Sequence, residues 1–498
     1  MATKVAPKQF HEKLVKANES TTDRWDVIVS YTKDKLQPLL DRDWSQAIGE
    51  TTVSITHSTG HKQYDRTTTY TITLASPHFE FDTKEIDGGS LSRAKITWGF
   101  TGTAHVKLNS GEDKGTEQLT AEDGLTLTVK TPINAIEDGD ASNDEKTSHD
   151  MIEFTDGVRS SYKVILQFKS TEDTLWEVNY TKKSDTAEEL QDVADDIGAE
   201  LNNQDKIKGF KFTLGEVNNT PNPNDFVLTP KKFCFGVFKD IFCIFIHVEG
   251  GDGTGSVGTP QFKLLHEEGI APMPDGYDAS IILSRNLIRD KYLIPQIADK
   301  CKDILRTEDP IVAQDATLGP SIGLKFQDSR VWEGHKYTAG PTDEDGYISV
   351  DWDKHPLVLT LFDDPSTLHP QYKWEWNDAE VTLTYFVYNA KLGRVGQDIT
   401  IKGKISQNAS SVATLSGDNL KFHIAFSSNN QPDASFKDVG PVGLSGSVKF
   451  KTFDVSLLDI NFFRTQNVLA PGQRFISAKE TMCPCDFFIF GSMEDAKK

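Results

Sequence analysis

Apolar and polar residues alternate with a two-residue period over an unusually long stretch of this chain. Ala94, Ile96, Trp98, Phe100, Gly102, Ala104, Val106 and Leu108 hold every even position from 94 to 108. Arg93, Lys95, Thr97, Thr101, Thr103, His105 and Lys107 hold most of the odd ones. Successive side chains of a strand point to opposite faces, so the pattern predicts one strand with a buried face and a wet face. At ~3.3 Å per residue it would run roughly 50 Å, well beyond an ordinary strand. Sheets made of such strands must bend or coil, and Gly99 and Gly102 are natural places for the bend. Shorter alternations occur at Tyr70/Ile72/Leu74, Leu125/Leu127/Val129, Tyr162/Val164/Leu166/Phe168, Val381/Leu383/Tyr385/Val387, Ile399/Ile401/Ile405 and Phe422/Ile424/Phe426. Threonines crowd the polar positions, which predicts antiparallel sheets solvated on one side. No strand–helix–strand rhythm appears.

Helical stripes are few. Residues 186–202 place Leu190, Val193, Ala194, Ile197 and Leu201 on one face, and residues 284–305 do the same with Leu287, Ile294, Ala298, Cys301 and Leu305. A shorter helix is expected near Thr32, carrying Leu36, Leu39 and Leu40. Thr32 and Ser284 have the chemistry of N-caps, and Pro38 and Pro295 should kink or restart their helices.

The chain also repeats itself. Trp25-Asp26-Val27-Ile28-Val29-Ser30-Tyr31-Thr32 matches Tyr277-Asp278-Ala279-Ser280-Ile281-Ile282-Leu283-Ser284 in type: aromatic, Asp, an apolar run, then a hydroxyl. Residues 210–217 parallel 453–460, and Leu228-Thr229-Pro230 parallels Leu469-Ala470-Pro471. Phenylalanine-rich strands close each half, Phe242-Cys243-Ile244-Phe245-Ile246 and Phe487-Phe488-Ile489-Phe490. The common order predicts two related modules, 21–250 and 273–491, with a tail at 1–20, a Gly/Pro-rich linker at 251–272 and a tail at 492–498.

The segment Asp23-Arg24-Trp25-Asp26-Val27-Ile28-Val29-Ser30-Tyr31 resembles the N-terminal signature of the OrfX-type accessory proteins of clostridial neurotoxin gene clusters. The two-module pattern resembles the wider tubular lipid-binding (TULIP) superfamily. The resemblance implies an α+β, mostly β chain of two tandem modules, each a long helix wrapped by a highly curved antiparallel sheet. It further implies a non-catalytic protein that binds lipid or another hydrophobic ligand in an apolar tube. Only Trp25/Asp26 and Tyr277/Asp278 match the motif, and these look structural. The candidate lining is Leu36, Leu39, Leu40, Ile96, Trp98 and Phe100 in the first module, with Leu287, Ile294, Ile297, Val381, Leu383 and Tyr385 in the second. An alkyl chain entering such a slot gains ~0.8 kcal/mol per buried CH₂. If side chains fill the gap instead, the same faces form a closed core. Two other functions stay open at this level: a component of a multiprotein, toxin-accessory-like assembly, and, less favoured, an enzyme with a dry apolar cavity.

Charge narrows the partners. The 498 residues carry 53 Lys+Arg and 74 Asp+Glu, a net charge of −21. A nucleic-acid backbone is therefore not an expected partner. The same charge favours a hydrophobic small molecule or lipid held inside the fold. Contact with an anionic membrane would be transient, through local pairs such as Lys182/Lys183, Lys231/Lys232 and Lys497/Lys498. No apolar run reaches 18 residues and no secretion signal opens the chain. Five scattered cysteines fit reduced thiols, so a cytoplasmic protein is expected, short of export by a non-classical route.

The remaining motifs predict no cofactor and no metal. Gly253-Thr254-Gly255-Ser256-Val257-Gly258 spells G-x-G-x-x-G, but Pro260 follows where a dinucleotide fold needs a helix. Asp343-Glu344-Asp345-Gly346 reads as a solvated acidic loop without calcium-loop spacing. His57 and His61 lack further ligands nearby. Asp363-Asp364, before Pro365, reads as a turn. The phenylalanine clusters read first as core.

Overall fold

The long alternation at 94–108 is a strand from Arg93 to Leu108. Its even-numbered side chains Ile96, Trp98, Phe100 and Ala104 are buried. In the computed structural model of the protein the described residues are 3–17, 19–35, 37–49, 51–59, 66–81, 93–137, 152–153, 161–167, 175–183, 185–203, 211–218, 225–226, 228, 230–238, 241–255, 262–314, 319–337, 342–389, 391–405, 409–411, 413–416, 419–461 and 475–494.

In chain order the principal elements are α1 (Pro7–Ala17), β1 (Val27–Thr32), α2 (Gln37–Ala47), β2 (Thr51–Thr59), β3 (Arg66–Phe81), β4 (Arg93–Leu108), β5 (Asp113–Leu119) and β6 (Thr126–Glu137). Then come α3 (Asp185–Asp192), α4 (Ala194–Asn203), β7 (Pro230–Phe238), β8 (Ile241–Val248), α5 (Lys263–Glu268), β9 (Ala279–Leu283) and α6 (Ile294–Lys300). The second half adds β10 (Arg330–Tyr337), β11 (Thr342–Val350), β12 (Ala379–Asn389), β13 (Gly393–Gly403), β14 (Phe475–Met482) and β15 (Phe487–Glu494), with shorter strands between them. The fold is mostly β, and among the described residues its strands pair antiparallel apart from one short parallel pair.

One sheet joins the two halves, in the order β14-β15-β9-β1-β8-β7 followed by the short strand Ile152–Glu153. The repeated segments meet at its centre, where β1 pairs β9 with Val29 opposite Ile281 and Ser30 opposite Ser280. The exchange is reciprocal beyond the strand ends. Thr32 N–H donates to Asp278 O at 3.0 Å, and Ser284 N–H donates to Asp26 O at 2.9 Å. The phenylalanine strands flank this centre in matching register: Val27 faces Ile246 and Ala279 faces Gly491.

Both faces of this sheet are covered, which is why its strands read as continuous apolar runs instead of alternating. Val27, Val29, Tyr31, Phe242, Ile244, Ile281, Leu283 and Ile489 join the main core. Ile28, Cys243, Phe245, Ile282, Phe488 and Phe490 face a second core closed by Phe10 and Leu14 of α1, by Phe262 and by Leu264 of α5. Residues 1–20, expected as a tail, thus contain a packed helix, with Phe10 stacked edge-on to Phe488 and Phe490 at 5.8 and 5.7 Å. The expected linker 251–272 likewise contains α5. Its glycines lie on the repeated signature itself: Gly253 N–H donates to the buried Asp26 carboxylate at 3.1 Å. A Cβ on Gly253 would come within 2.3 Å of His247. The G-x-G-x-x-G spelling is therefore a packing requirement as far as it is described, through Gly255.

The helices depart from expectation at their proline and hydroxyl positions. Thr32 ends β1 and a short 3-10 turn follows at Lys33–Lys35 before α2 starts at Gln37, but the Thr32 hydroxyl is buried without a hydrogen-bond partner and so does not act as a cap. Ser284 does accept from Leu287 N–H, at 3.2 Å. The helix expected over 284–305 is a π-helix at Leu287–Leu293 and an α-helix only to Lys300. Pro295 has no N–H to give, and the register changes there. The stripe over 186–202 forms two short helices, α3 and α4. The acidic stretch 343–346 is not a loop: it lies in β11, where Glu344 is wholly buried and accepts from Val442 N–H at 3.0 Å.

Candidate ligand cleft

The first-half sheet wraps α2, α3 and α4. Its order places β6-β4-β3-β2 side by side, with β5 also pairing β4. β4 changes partner midway. Residues Arg93 to Gly99 pair with β6, and Gly102 to Lys107 pair with β5. Between the two partners, Phe100 N–H donates to Leu125 O at 3.1 Å, in the connection from β5 to β6. On the other side of β4, the β3 register slips between Leu74 and Pro77. Pro77 cannot donate a ladder hydrogen bond, so a bulge at this point is expected.

These two irregularities face α2 across a cleft of about 870 Å³. Its floor is apolar: Trp44 of α2, Leu74 of β3, Phe100 of β4, and Leu125, all buried. Its rim is hydroxylic, with Ser45, Thr73, Ser76, Thr101, Thr126 and Thr181. Gly99 borders the opening, and a Cβ there would meet nothing within 4 Å. Gly102 is the opposite case, since its Cβ would fall 2.1 Å from Thr71 O. One glycine opens space at the bend and the other lets β3 and β4 close tightly.

No lining residue is ionisable. General acid–base catalysis needs a titratable group in the site, so this cleft offers none for that chemistry. It offers apolar contact at the floor and neutral donors and acceptors at the mouth. The volume falls in the usual range for small-molecule sites.

The expected lining residues are only partly gathered here. Phe100 lines the cleft. Ile96 and Trp98 lie deeper in the same strand, packed under α2 and α4, with Trp98 5.8 Å from Trp44 and 6.2 Å from Trp176. Leu36 and the side chains of Leu39 and Leu40 lie outside the described residues. In the second half, Leu287, Ile297, Val381 and Leu383 are buried in the core, and Ile294 and Tyr385 pack against it. There Trp352, Trp374 and Trp376 interlock with Phe326, Phe426 and Phe450, at ring separations from 4.9 to 5.2 Å for the closest pairs. Trp44 and the hydroxyl rim were missed from sequence. The break in alternation at Ala75-Ser76-Pro77 was the signal that could have marked the cleft.

Titratable groups are buried elsewhere, where they tie elements together. Asp486, in the turn between β14 and β15, accepts from Thr21 N–H at 2.6 Å and Arg285 N–H at 2.9 Å. Burial pushes its carboxyl above the usual range, against the lowering effect of these donors. Asp363 accepts from Cys483 N–H at 2.6 Å and lies 3.1 Å from His11 Nε2 of α1. Burial raises it too, and His11 opposes the rise. Asp363 is thus an anchor for the N-terminal helix and not part of a solvated turn. Burial also pushes the Cys485 and Cys243 thiols up to about 12, so both are protonated and poor nucleophiles at neutral pH. Among the described residues no cluster of three metal-ligating side chains occurs. No helix among them is long and apolar enough to cross a membrane.

No family model matches the chain, and no curated protein matches it. Among solved structures the chain is similar to P47 from Clostridium botulinum A2, at 14% identity and a TM-score of 0.45, with 96% of this chain and 100% of that chain covered. It is similar to P47 of Clostridium botulinum E1 at 12% identity and a TM-score of 0.43, with 96% and 100% covered. A lipopolysaccharide binding protein aligns at 10% identity and a TM-score of 0.21, with 95% and 100% covered. These likenesses run along nearly the whole chain.

Proposed function

We propose that this protein binds a hydrophobic ligand with an uncharged head, without catalysis, in the cleft between α2 and the first-half sheet. The observation that supports this reading is the cleft's composition: a buried apolar floor, a rim of hydroxyls, and no ionisable lining group. An alkyl chain of eight carbons on the floor would gain about 6 kcal/mol at most. The rim hydroxyls would serve an ester, hydroxyl or amide head. A phosphate or carboxylate would find no cation there, and its desolvation would oppose binding. Two modules, 21–250 and 273–491, would then share the central sheet while only the first carries the ligand.

Organic extraction of the purified protein followed by mass spectrometry tests the reading. Neutral lipid or another uncharged amphiphile should be recovered in stoichiometric amount, or be taken up from a lipid panel. Protein that carries nothing and takes up nothing would remove the proposal, and selective uptake of anionic lipid would contradict its chemistry.

A further inference from the structure

β2 begins opposite Leu74, so β3 runs on from Ala75 to Phe81 with no strand on that side among the described residues. α2 meets this free edge instead. Its first residue, Gln37, reaches the strand with both ends of its carboxamide. Nε2 donates to Pro77 O at 2.8 Å, and Oε1 accepts from Phe79 N–H at 2.7 Å. These two backbone groups flank His78, so one side chain supplies what the backbone of a neighbouring strand residue would supply. Pro77 and Phe79 are buried, which makes water a poor substitute. Nε2 also donates to Asp41 Oδ1 at 2.9 Å, one helical turn on, which holds the carboxamide in this orientation. The strand edge demands a donor and an acceptor together; glutamate at this position offers one and alanine neither.

The two ends of α2 are held differently. Its N-terminal end carries the Gln37 clamp, and two residues earlier Lys35 pairs with Asp278 at 2.9 Å. Its other end is held by the apolar packing of Trp44 and Ile48, and the chain then turns at Gly49, whose φ of +66° is left-handed. That second end borders the cleft, through Trp44, Ser45 and Gly49. Facing it on β3 are Thr73 to Ser76, and Pro77 follows directly. The clamp therefore sits where the bulged segment leaves the cleft, and it ties one wall to the other with directional bonds. Apolar packing alone is non-directional and lets a helix slide or tilt on a sheet. We propose, on the reading of the cleft as the ligand site, that Gln37 is a positioning residue for ligand selection. It fixes α2 against the β3 bulge, sets the width of the cleft and excludes ligands that carry a second alkyl chain. The four side chains of the floor, Trp44, Leu74, Phe100 and Leu125, suit one chain. Without the clamp α2 tilts away from the bulge, and two-chain neutral lipids gain entry.

The test compares the full wild-type chain with Gln37→Ala and Gln37→Glu by hydrogen exchange and by lipid binding. In Gln37→Ala the α2 amides should exchange about tenfold faster, the loss expected from two hydrogen bonds to the strand, while those of β8 in the central sheet keep their rate. Native mass spectrometry with monoolein and dioleoylglycerol should show wild type preferring the one-chain lipid. That preference should fall about fivefold or more in Gln37→Ala. Gln37→Glu should follow it, because a carboxylate cannot donate to Pro77 O and lies beside Asp41. A residue with only a structural role would weaken both lipids alike and leave their ratio unchanged. Unchanged α2 exchange, or an unchanged lipid ratio in a folded variant that still binds, would overturn the role of Gln37 and leave the cleft reading in place. Uptake of neither lipid by the wild-type chain would remove the cleft reading and this role together.

Discussion

In the second half of the molecule three tryptophans fill the core between sheets, and each indole N–H has a carbonyl to meet: Trp352 donates to Asp328 O, Trp374 to Ala425 O and Trp376 to His355 O, at 2.9 to 3.0 Å. In the first half, Trp44, Trp98 and Trp176 lie in a row under the helices, and Trp176 Nε1 is buried without a hydrogen-bond partner. The row stops at a cleft of about 870 Å³. Both halves grow from one central sheet with matched strands, so the difference does not lie in the shared centre. It lies in the long strands beyond it, where the β3 bulge and the change of partner along β4 keep the first sheet from closing. Aromatic packing and open space are alternatives on the same scaffold.

The comparison breaks most visibly in the aromatic cores. Trp374→Ala should cost ~3–5 kcal/mol, the loss for a large buried aromatic with little room to relax. Trp44→Ala should cost less, ~2–3 kcal/mol, because its ring already borders open space and little new cavity is made. Equal losses by denaturant titration would mean that the two cores are packed alike.

Asp486 bears on the centre that both halves share. Asp486→Ala should cost about 3 kcal/mol, since Thr21 and Arg285 N–H groups would be left buried and unpaired. Its pH behaviour has a definite sign. The folded-state carboxyl is raised above its ordinary 3.8, so the native state holds the proton more tightly than the unfolded chain does. Stability contributed through Asp486 should therefore fall as pH rises from about 4 through the raised value. The difference in stability between wild type and Asp486→Asn should follow that slope. A difference that grows steadily with pH would contradict the assignment.

A smaller contrast concerns the indole hydrogens. Trp374→Phe should cost ~1–3 kcal/mol, because Ala425 O loses a buried donor. Trp176→Phe should cost under about 1 kcal/mol, because that N–H has no partner to lose. Comparable losses would show that Trp176 is as well satisfied as Trp374.

Much of the fold was legible where one physical signal dominated. The alternation at 94–108 needs only a half-buried strand, and β4 spans nearly those residues. The repeated aromatic-Asp segments were legible as apolar strands, but their pairing with each other in one sheet covered on both faces was not, because partners so far apart in the chain leave no local signal. Long-range burial was not legible. Phe10 and Leu14 looked like part of a polar tail, because two apolar residues one turn apart make too short a stripe to reveal what the helix packs on. Glu344 looked solvated among acids, because its partner Val442 lies far along the chain. The cleft escaped for a related reason: Gly99 and Gly102 mark a bend in β4, but the change of partner between them is a property of the sheet.

The central claim is that the space beside Gly99 holds the ligand, and the Gly99→Leu variant tests it most directly. Its Cβ enters open space, so stability should stay within about 0.5 kcal/mol of wild type. Native mass spectrometry of the two proteins against a panel of neutral lipids should show a bound species for wild type and none for Gly99→Leu. Undiminished binding by a folded Gly99→Leu variant would contradict the account.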